Sequence, residues 1–204
     1  MRSYGDRCGI ARALDVVGER WALLVVRELL LGPKRFTDLR AGLPNVGPDV
    51  LAQRLRELEA AGILRRATLP PPAASKVYEL TERGADLEPV VLALGRWGSA
   101  APGPEDADLG VDAFVLALQS LYSPDGEGGR FELRLGDQRF TVEPDGASLR
   151  VRRGAASDPE VVVAGEPGAL AGWLWHSGPL DGATVTGDRA AVTRFRRLFP
   201  LPAR

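Results

Sequence analysis

An α+β chain of two domains is the fold class this sequence predicts, and three observations predict it. Apolar residues recur at helical spacing from Ile10 to Ala61. A proline run, Pro70-Pro71-Pro72, separates two short β-like segments. From Arg130 onward, apolar and polar residues alternate with period two. Between these regimes, Trp97 to Gly110 is a Gly/Pro/acidic stretch without periodicity and reads as a linker. The expected organisation is residues 1–98, a linker at 99–110, and 111–204, which suits 204 residues at about 100 per domain.

In the first half, Ile10, Ala13, Leu14 and Val17 mark a first helix, and Trp21, Leu24, Val25 and Leu29 mark a second after the break at Gly18. Lys34 to Leu43 reads as a short third helix closed by Gly42, and Pro44-Asn45-Val46-Gly47 as the turn before a fourth. Pro48 suits a first helical position, where its missing N–H costs nothing. Leu51, Leu55, Leu58 and Ala61 then form an apolar stripe ended by Gly62, with Asp49, Gln53, Arg54, Arg56 and Glu57 on other faces. Ile63–Leu69 and Lys76–Leu80 read as strands joined by an open, projecting loop, because three prolines forbid a tight hairpin. Thr81 caps a fifth helix carrying Leu87, Val90, Val91, Leu94 and Trp97. This order is that of a winged helix-turn-helix. The fifth helix has more apolar surface than so small a core covers, so a symmetric dimer is expected, with the first helix as its partner.

In the second half, Phe114, Leu118 and Leu121 mark a helix. Arg130–Leu135, Gln138–Val142 and Ala147–Arg152 read as half-buried antiparallel strands, with turns at Gly136-Asp137 and Asp145-Gly146. Val161–Ala164 is apolar throughout and suits a central strand, Glu166 to Trp175 is a helix, and Val192 to Phe199 another. The expectation is an α/β sandwich, a mainly antiparallel sheet covered by helices.

Composition narrows the chemistry. The longest apolar run, Trp21 to Val26, is far short of the roughly 18 residues of a membrane span, and the N-terminus shows no apolar signal region, so the cytoplasm is expected. One cysteine and one histidine exclude an intramolecular disulfide and most metal or triad chemistry. Ser177 lacks a nucleophile-elbow sequence, and His176 reads as a helix C-terminal residue near the dipole. No enzyme, cofactor or metal is expected. Residues 1–100 hold 15 Lys+Arg against 12 Asp+Glu, leaving 11 against 15 beyond them, so any basic surface belongs to the first half.

The first half also resembles a known family. Cys8-Gly9-Ile10, Leu14 to Trp21, Arg27-Glu28-Leu29, Gly32 to Phe36, Leu51 to Leu58 and Tyr78 to Gly84 are similar to the HxlR group of bacterial winged-helix transcription regulators. The resemblance implies double-stranded DNA as partner. Gln53 and Arg54, one turn into the fourth helix, would face base edges, and Lys34, Arg35, Arg40 and Lys76 would grip phosphates. Each of these residues also has a plainer reading as a solvated charge, and Arg54 as an ion pair with Glu57. Gly47-Pro48-Asp49 departs from the family's usual Ser-Pro start of that helix, and the Asp49 carboxylate should weaken or re-tune DNA contact. Cys8 stands where some members sense electrophiles or oxidants, the alternative being a small buried apolar residue.

Residues 109–200 resemble a sterol carrier protein type domain through Val162 to Gly165, the following helix, and Val185 to Asp188 with Phe195 to Phe199. That resemblance implies an apolar small molecule, bound by Leu170, Trp173, Leu174, Trp175, Phe195 and Phe199. An ordinary core without a cavity is the alternative. Trp173 and Trp175 are two residues apart and cannot share a helix face. The expected function is a homodimeric DNA-binding regulator responsive to an apolar ligand. The rival is a carrier or enzyme that keeps the winged helix only for dimerisation or protein interaction.

Overall fold

The protein is described by a computed structural model covering residues 3–101, 108–124, 127–176 and 178–202. Ser177, the linker positions 102–107 and Asp125-Gly126 of the loop after the 111–121 helix lie outside the described residues. The chain forms two units, Met1–Val91 and Leu92–Arg204.

The first unit is built from α1 (Gly9–Val17), α2 (Ala22–Leu30), α3 (Phe36–Gly42), α4 (Pro48–Ala60), β1 (Leu64–Thr68), β2 (Lys76–Leu80) and α5 (Glu82–Ala85). Helix α6 (Glu88–Gly98) starts in this unit, and the division falls inside it. Its core gathers the stripes the periodicity predicts: Val25, Val26 and Leu29 of α2, Leu39 of α3, Leu51, Leu55 and Leu58 of α4, then Ile63 and Leu64. β1 and β2 pair antiparallel from Leu64↔Leu80 to Thr68↔Lys76, and the prolines occupy the connection between them.

Two expected elements change. The third helix begins at Phe36, because the extended backbone of Lys34 exchanges two hydrogen bonds with Tyr78 of β2, at 3.0 and 2.8 Å. The single helix expected after Thr81 is two. Thr81 Oγ1 accepts from the Gly84 amide at 3.1 Å and caps α5, which ends at Ala85; α6 then restarts with Pro89 in its first turn, where no N–H is needed. Gly84 has no substitute, since a Cβ there would lie 2.0 Å from the Ile63 carbonyl oxygen.

The second unit holds α7 (Val111–Leu121), β3 (Phe131–Leu135), β4 (Gln138–Asp145), β5 (Ser148–Arg153), β6 (Val161–Gly165), α8 (Pro167–Trp175), β7 (Ala183–Gly187) and α9 (Arg189–Arg197). The sheet order is β5-β4-β3-β6-β7, antiparallel except for the parallel β3–β6 pair. Phe131, Leu133, Phe140, Val142, Val161 and Val163 project to one face, where Phe114 and Leu118 of α7, Leu170 of α8 and Phe195 of α9 complete a buried core. β7 was not expected: Ala-Thr-Val-Thr-Gly has one large apolar residue, too little for an alternation signal, yet it suffices for an edge strand on β6. α9 starts three residues early because the Asp188 carboxylate accepts from the amides of Ala190 and Ala191.

Two buried carboxylates of this unit are held by arginines. Arg153 Nη2 donates to both oxygens of the buried Asp112, at 2.7 and 2.9 Å, fastening α7 to β5. Burial of Glu132 raises its pKa, but hydrogen bonds from Arg134 and the Ala156 amide more than offset this and hold the carboxyl below its usual value.

Candidate nucleic-acid interface

Helix α4 is exposed to solvent along one side because its opposite side is spent on the core. With Leu51, Leu55 and Leu58 buried, residues at seven- and three-to-four-residue steps from Asp49 face outward: Asp49, Gln53, Arg56 and Ala60, with Val50 beside them. Gln53 donates to Glu57 Oε1 at 2.7 Å and accepts from Arg56 Nη2 at 2.6 Å, so the exposed side carries an ordered amide and guanidinium. Pro48 is the first helical residue and Gly47 its cap, which leaves the Asp49 carboxylate in the first turn.

Arg54 has a different setting. It lies next to the buried stripe with a side chain only 12% exposed, and its Nη1 pairs with Glu57 at 2.5 Å and reaches Glu19 at 3.8 Å. The expected base-reading pair therefore splits: Gln53 is on the outward side, whereas Arg54 is turned to the protein. Arg56, not expected as a contact, shares the outward side with Gln53. The signal was in the sequence as their three-residue spacing.

Of the residues expected to meet phosphates, Arg35, Arg40 and Lys76 are exposed. Lys34 is largely covered, and its ammonium donates to Glu28 at 2.5 Å. The β1–β2 ribbon adds Arg65 and Arg66, both exposed; Arg65 pairs with Glu79 across the ribbon at 2.7 Å, and Arg66 with Glu59 at 3.2 Å.

Cys8 is exposed, at the N-cap of α1. The amide of Ala11, then that of Ile10, faces the sulfur and lowers its pKa below the ordinary thiol value, although no full capping hydrogen bond closes. The thiolate fraction therefore rises at a lower pH than for a free thiol. Alkylation by iodoacetamide, followed across pH by mass spectrometry, is expected to show its midpoint below that of a Cys-containing peptide. An equal or higher midpoint would mean the helix terminus does not act on the sulfur.

In the second unit, Leu170, Phe195 and Phe199 are sealed in the core. Trp175 packs on Phe114 with ring centroids 5.7 Å apart and donates its Nε1–H to the Phe199 carbonyl at 3.1 Å. Trp173 and Leu174 border a surface pocket of about 590 Å³ with residues of α9. His176 is the exposed C-cap residue of α8. No group of three metal-ligating side chains occurs among the described residues, and no described helix is long and apolar enough to cross a membrane.

Comparison with known proteins finds the HxlR-like helix-turn-helix family matching residues 16–106. An uncharacterized HTH-type transcriptional regulator of Bacillus subtilis (strain 168), YvaP, is 35% identical over 97 residues, 48% of this chain and 90% of its own. The HTH-type transcriptional regulator YodB of the same organism is 35% identical over 94 residues, 46% of this chain and 84% of its own. A crystal structure of quinone-bound YodB aligns with a TM-score of 0.38 at 33% identity, over 43% of this chain and 92% of that one. The relatives are named as regulators of transcription, and the family match ends before the sheet of the second unit.

Proposed function

Because this chain belongs, through its N-terminal half, to the HxlR-like helix-turn-helix family of transcription regulators, we propose that it is a cytoplasmic homodimer that reads operator DNA with α4 and adjusts that binding through a small molecule held by its second unit. The observation that carries the reading is the outward side of α4. It presents Gln53 and Arg56 to solvent in hydrogen-bonded order, behind a short helix and turn, with an exposed ribbon bearing Arg65 and Lys76 in the same unit. Amide and guanidinium groups on a helix are the common readers of base edges in the major groove. Exposed arginines and a lysine nearby supply the phosphate contacts that set register. Asp49 sits at the helix start and tunes that contact by repulsion.

Dimerisation is supported by apolar residues that two helices leave exposed. Ile10 and Leu14 of α1 are exposed, α6 buries no residue, and Trp97 is 78% exposed. A role for the second unit in ligand binding, of the sterol carrier type, is supported by a sheet whose helices pack on one face and by the pocket at Trp173. It carries signal only if the ligand binds the DNA-competent and incompetent dimers unequally, with a coupling of about 1–3 kcal/mol.

Selection of duplexes from a random pool by the full chain, with light scattering at micromolar concentration, tests the reading. A dimer and a two-fold symmetric site with half-site centres about 34–36 Å apart are expected. A monomer that enriches no duplex would favour a carrier whose winged helix serves only protein contacts.

A further inference from the structure

The pocket of the second unit differs from the apolar cavity that its aromatic residues suggest. Its walls come from three elements: Trp173 and Leu174 near the end of α8, Gly187 at the end of β7, and one side of α9. On α9, Arg189, Val192, Thr193, Arg196 and Arg197 stand at offsets of 0, 3, 4, 7 and 8 and so share a side, while Ala191, Phe195 and Leu198 turn into the core. Three guanidinium groups and no carboxylate therefore border about 590 Å³, a volume within the ~300–1,000 Å³ range of small-ligand sites.

Elsewhere in this unit most arginines have carboxylate partners, Arg96 and Arg139 being the exceptions among the described residues. Arg130 and Arg152 share Glu143, Arg134 takes Glu132, Arg150 takes Asp145, Arg153 takes Asp112, and Arg194 takes Glu127 and Glu160. Among the described residues, no carboxylate pairs with Arg189, Arg196 or Arg197. Arg196 is nonetheless held in place: it donates to the Trp173 carbonyl at 2.9 Å and lies over the indole at 5.0 Å. A guanidinium has five N–H donors, so it keeps donors for a ligand after that bond. Like charges gathered beside an apolar wall of Trp173, Leu174 and Val192 complement a molecule with one anionic end and one apolar body. A planar carboxylate matches the guanidinium fork.

We propose that this pocket binds an amphipathic carboxylate, its acid group held by Arg189, Arg196 and Arg197 and its apolar body laid against Trp173, Leu174 and Val192. The inference rests on the reading of the second unit as a ligand-binding unit and names the ligand class.

Octanoate and its neutral isostere octanamide are the probes, titrated into the full chain by calorimetry and tryptophan fluorescence. Octanoate is expected to bind about tenfold more tightly than octanamide. The Arg189→Gln/Arg197→Gln double variant, exposed at both positions, should lose that advantage, and Trp173→Phe should remove most of the fluorescence response. Equal affinity for the two probes, no octanoate binding, or unchanged octanoate affinity in the double variant would each overturn the proposal. The two readings fail separately. Octanamide that matches octanoate and shifts operator affinity rejects the carboxylate site but leaves a ligand-responsive regulator. Arginine-dependent octanoate binding that leaves operator affinity unchanged upholds the site and rejects the regulation.

Discussion

Glu28→Ala is expected to destabilise the N-terminal unit by about 3–5 kcal/mol, the cost typical of removing one partner from a buried ion pair. Glu28 is 2% exposed on α2. Arg27 Nη2 and Lys34 Nζ reach its two oxygens at 2.7 and 2.5 Å, and both cations are themselves largely covered. The carboxylate fits because residue 42 has no side chain: a Cβ on Gly42 would stand 2.2 Å from Glu28 Oε2. One acid thus joins α2, the end of α3, and the Lys34 backbone bridge to β2, the three parts whose arrangement aims α4. Its loss leaves two cations beside a void. Lys34→Met in the Glu28→Ala background should recover part of the stability, since it removes one stranded charge, whereas two independent sites would add. Urea unfolding followed by circular dichroism measures both. A Glu28→Ala loss under 1 kcal/mol would show that the pair is dispensable.

Gln53→Ala and Arg56→Ala are each expected to reduce discrimination between the selected duplex and a scrambled one by about 1–3 kcal/mol, roughly fivefold to more than a hundredfold. Both side chains are exposed, and the hydrogen bonds they now make, to each other and to Glu57, are solvent-accessible ones that base edges can replace. Arg54→Ala should act mainly on stability, because it removes the partly buried partner of Glu57. Lys76→Ala should weaken all duplexes alike and lower the salt slope by about 1. Fluorescence anisotropy at several salt concentrations separates these effects. Parent-like specificity in both Gln53→Ala and Arg56→Ala would remove α4 as the reading helix.

Much of this was legible because helix and strand periods are local properties. Leu51, Leu55 and Leu58 mark α4 and its buried side, Pro48 marks its start, and the alternation from Phe131 to Val151 marks three strands of the sheet. The same wheel that buries the leucines places Asp49, Gln53 and Arg56 outward, so the reading side of α4 follows from sequence once its period is carried through. Charge partners follow only where they are neighbours on one helix, as Arg54 and Glu57 are. Lys34 has the sequence context of a phosphate contact, yet a carboxylate six residues earlier, brought near by the turn after α2, takes its ammonium. Arg153 meets Asp112 across 41 residues, β3 takes β6 as a parallel neighbour, and Arg194 meets both Glu127 and Glu160, whereas no carboxylate pairs with the three pocket arginines among the described residues. Except at β7, the sequence by itself determined which side of an element is apolar, since that depends on neighbours two to four residues away. Beyond such local pairs, only the tertiary structure decided which charges are cancelled and which remain for a ligand, because Coulomb attraction acts over a few ångströms in space and is indifferent to separation along the chain.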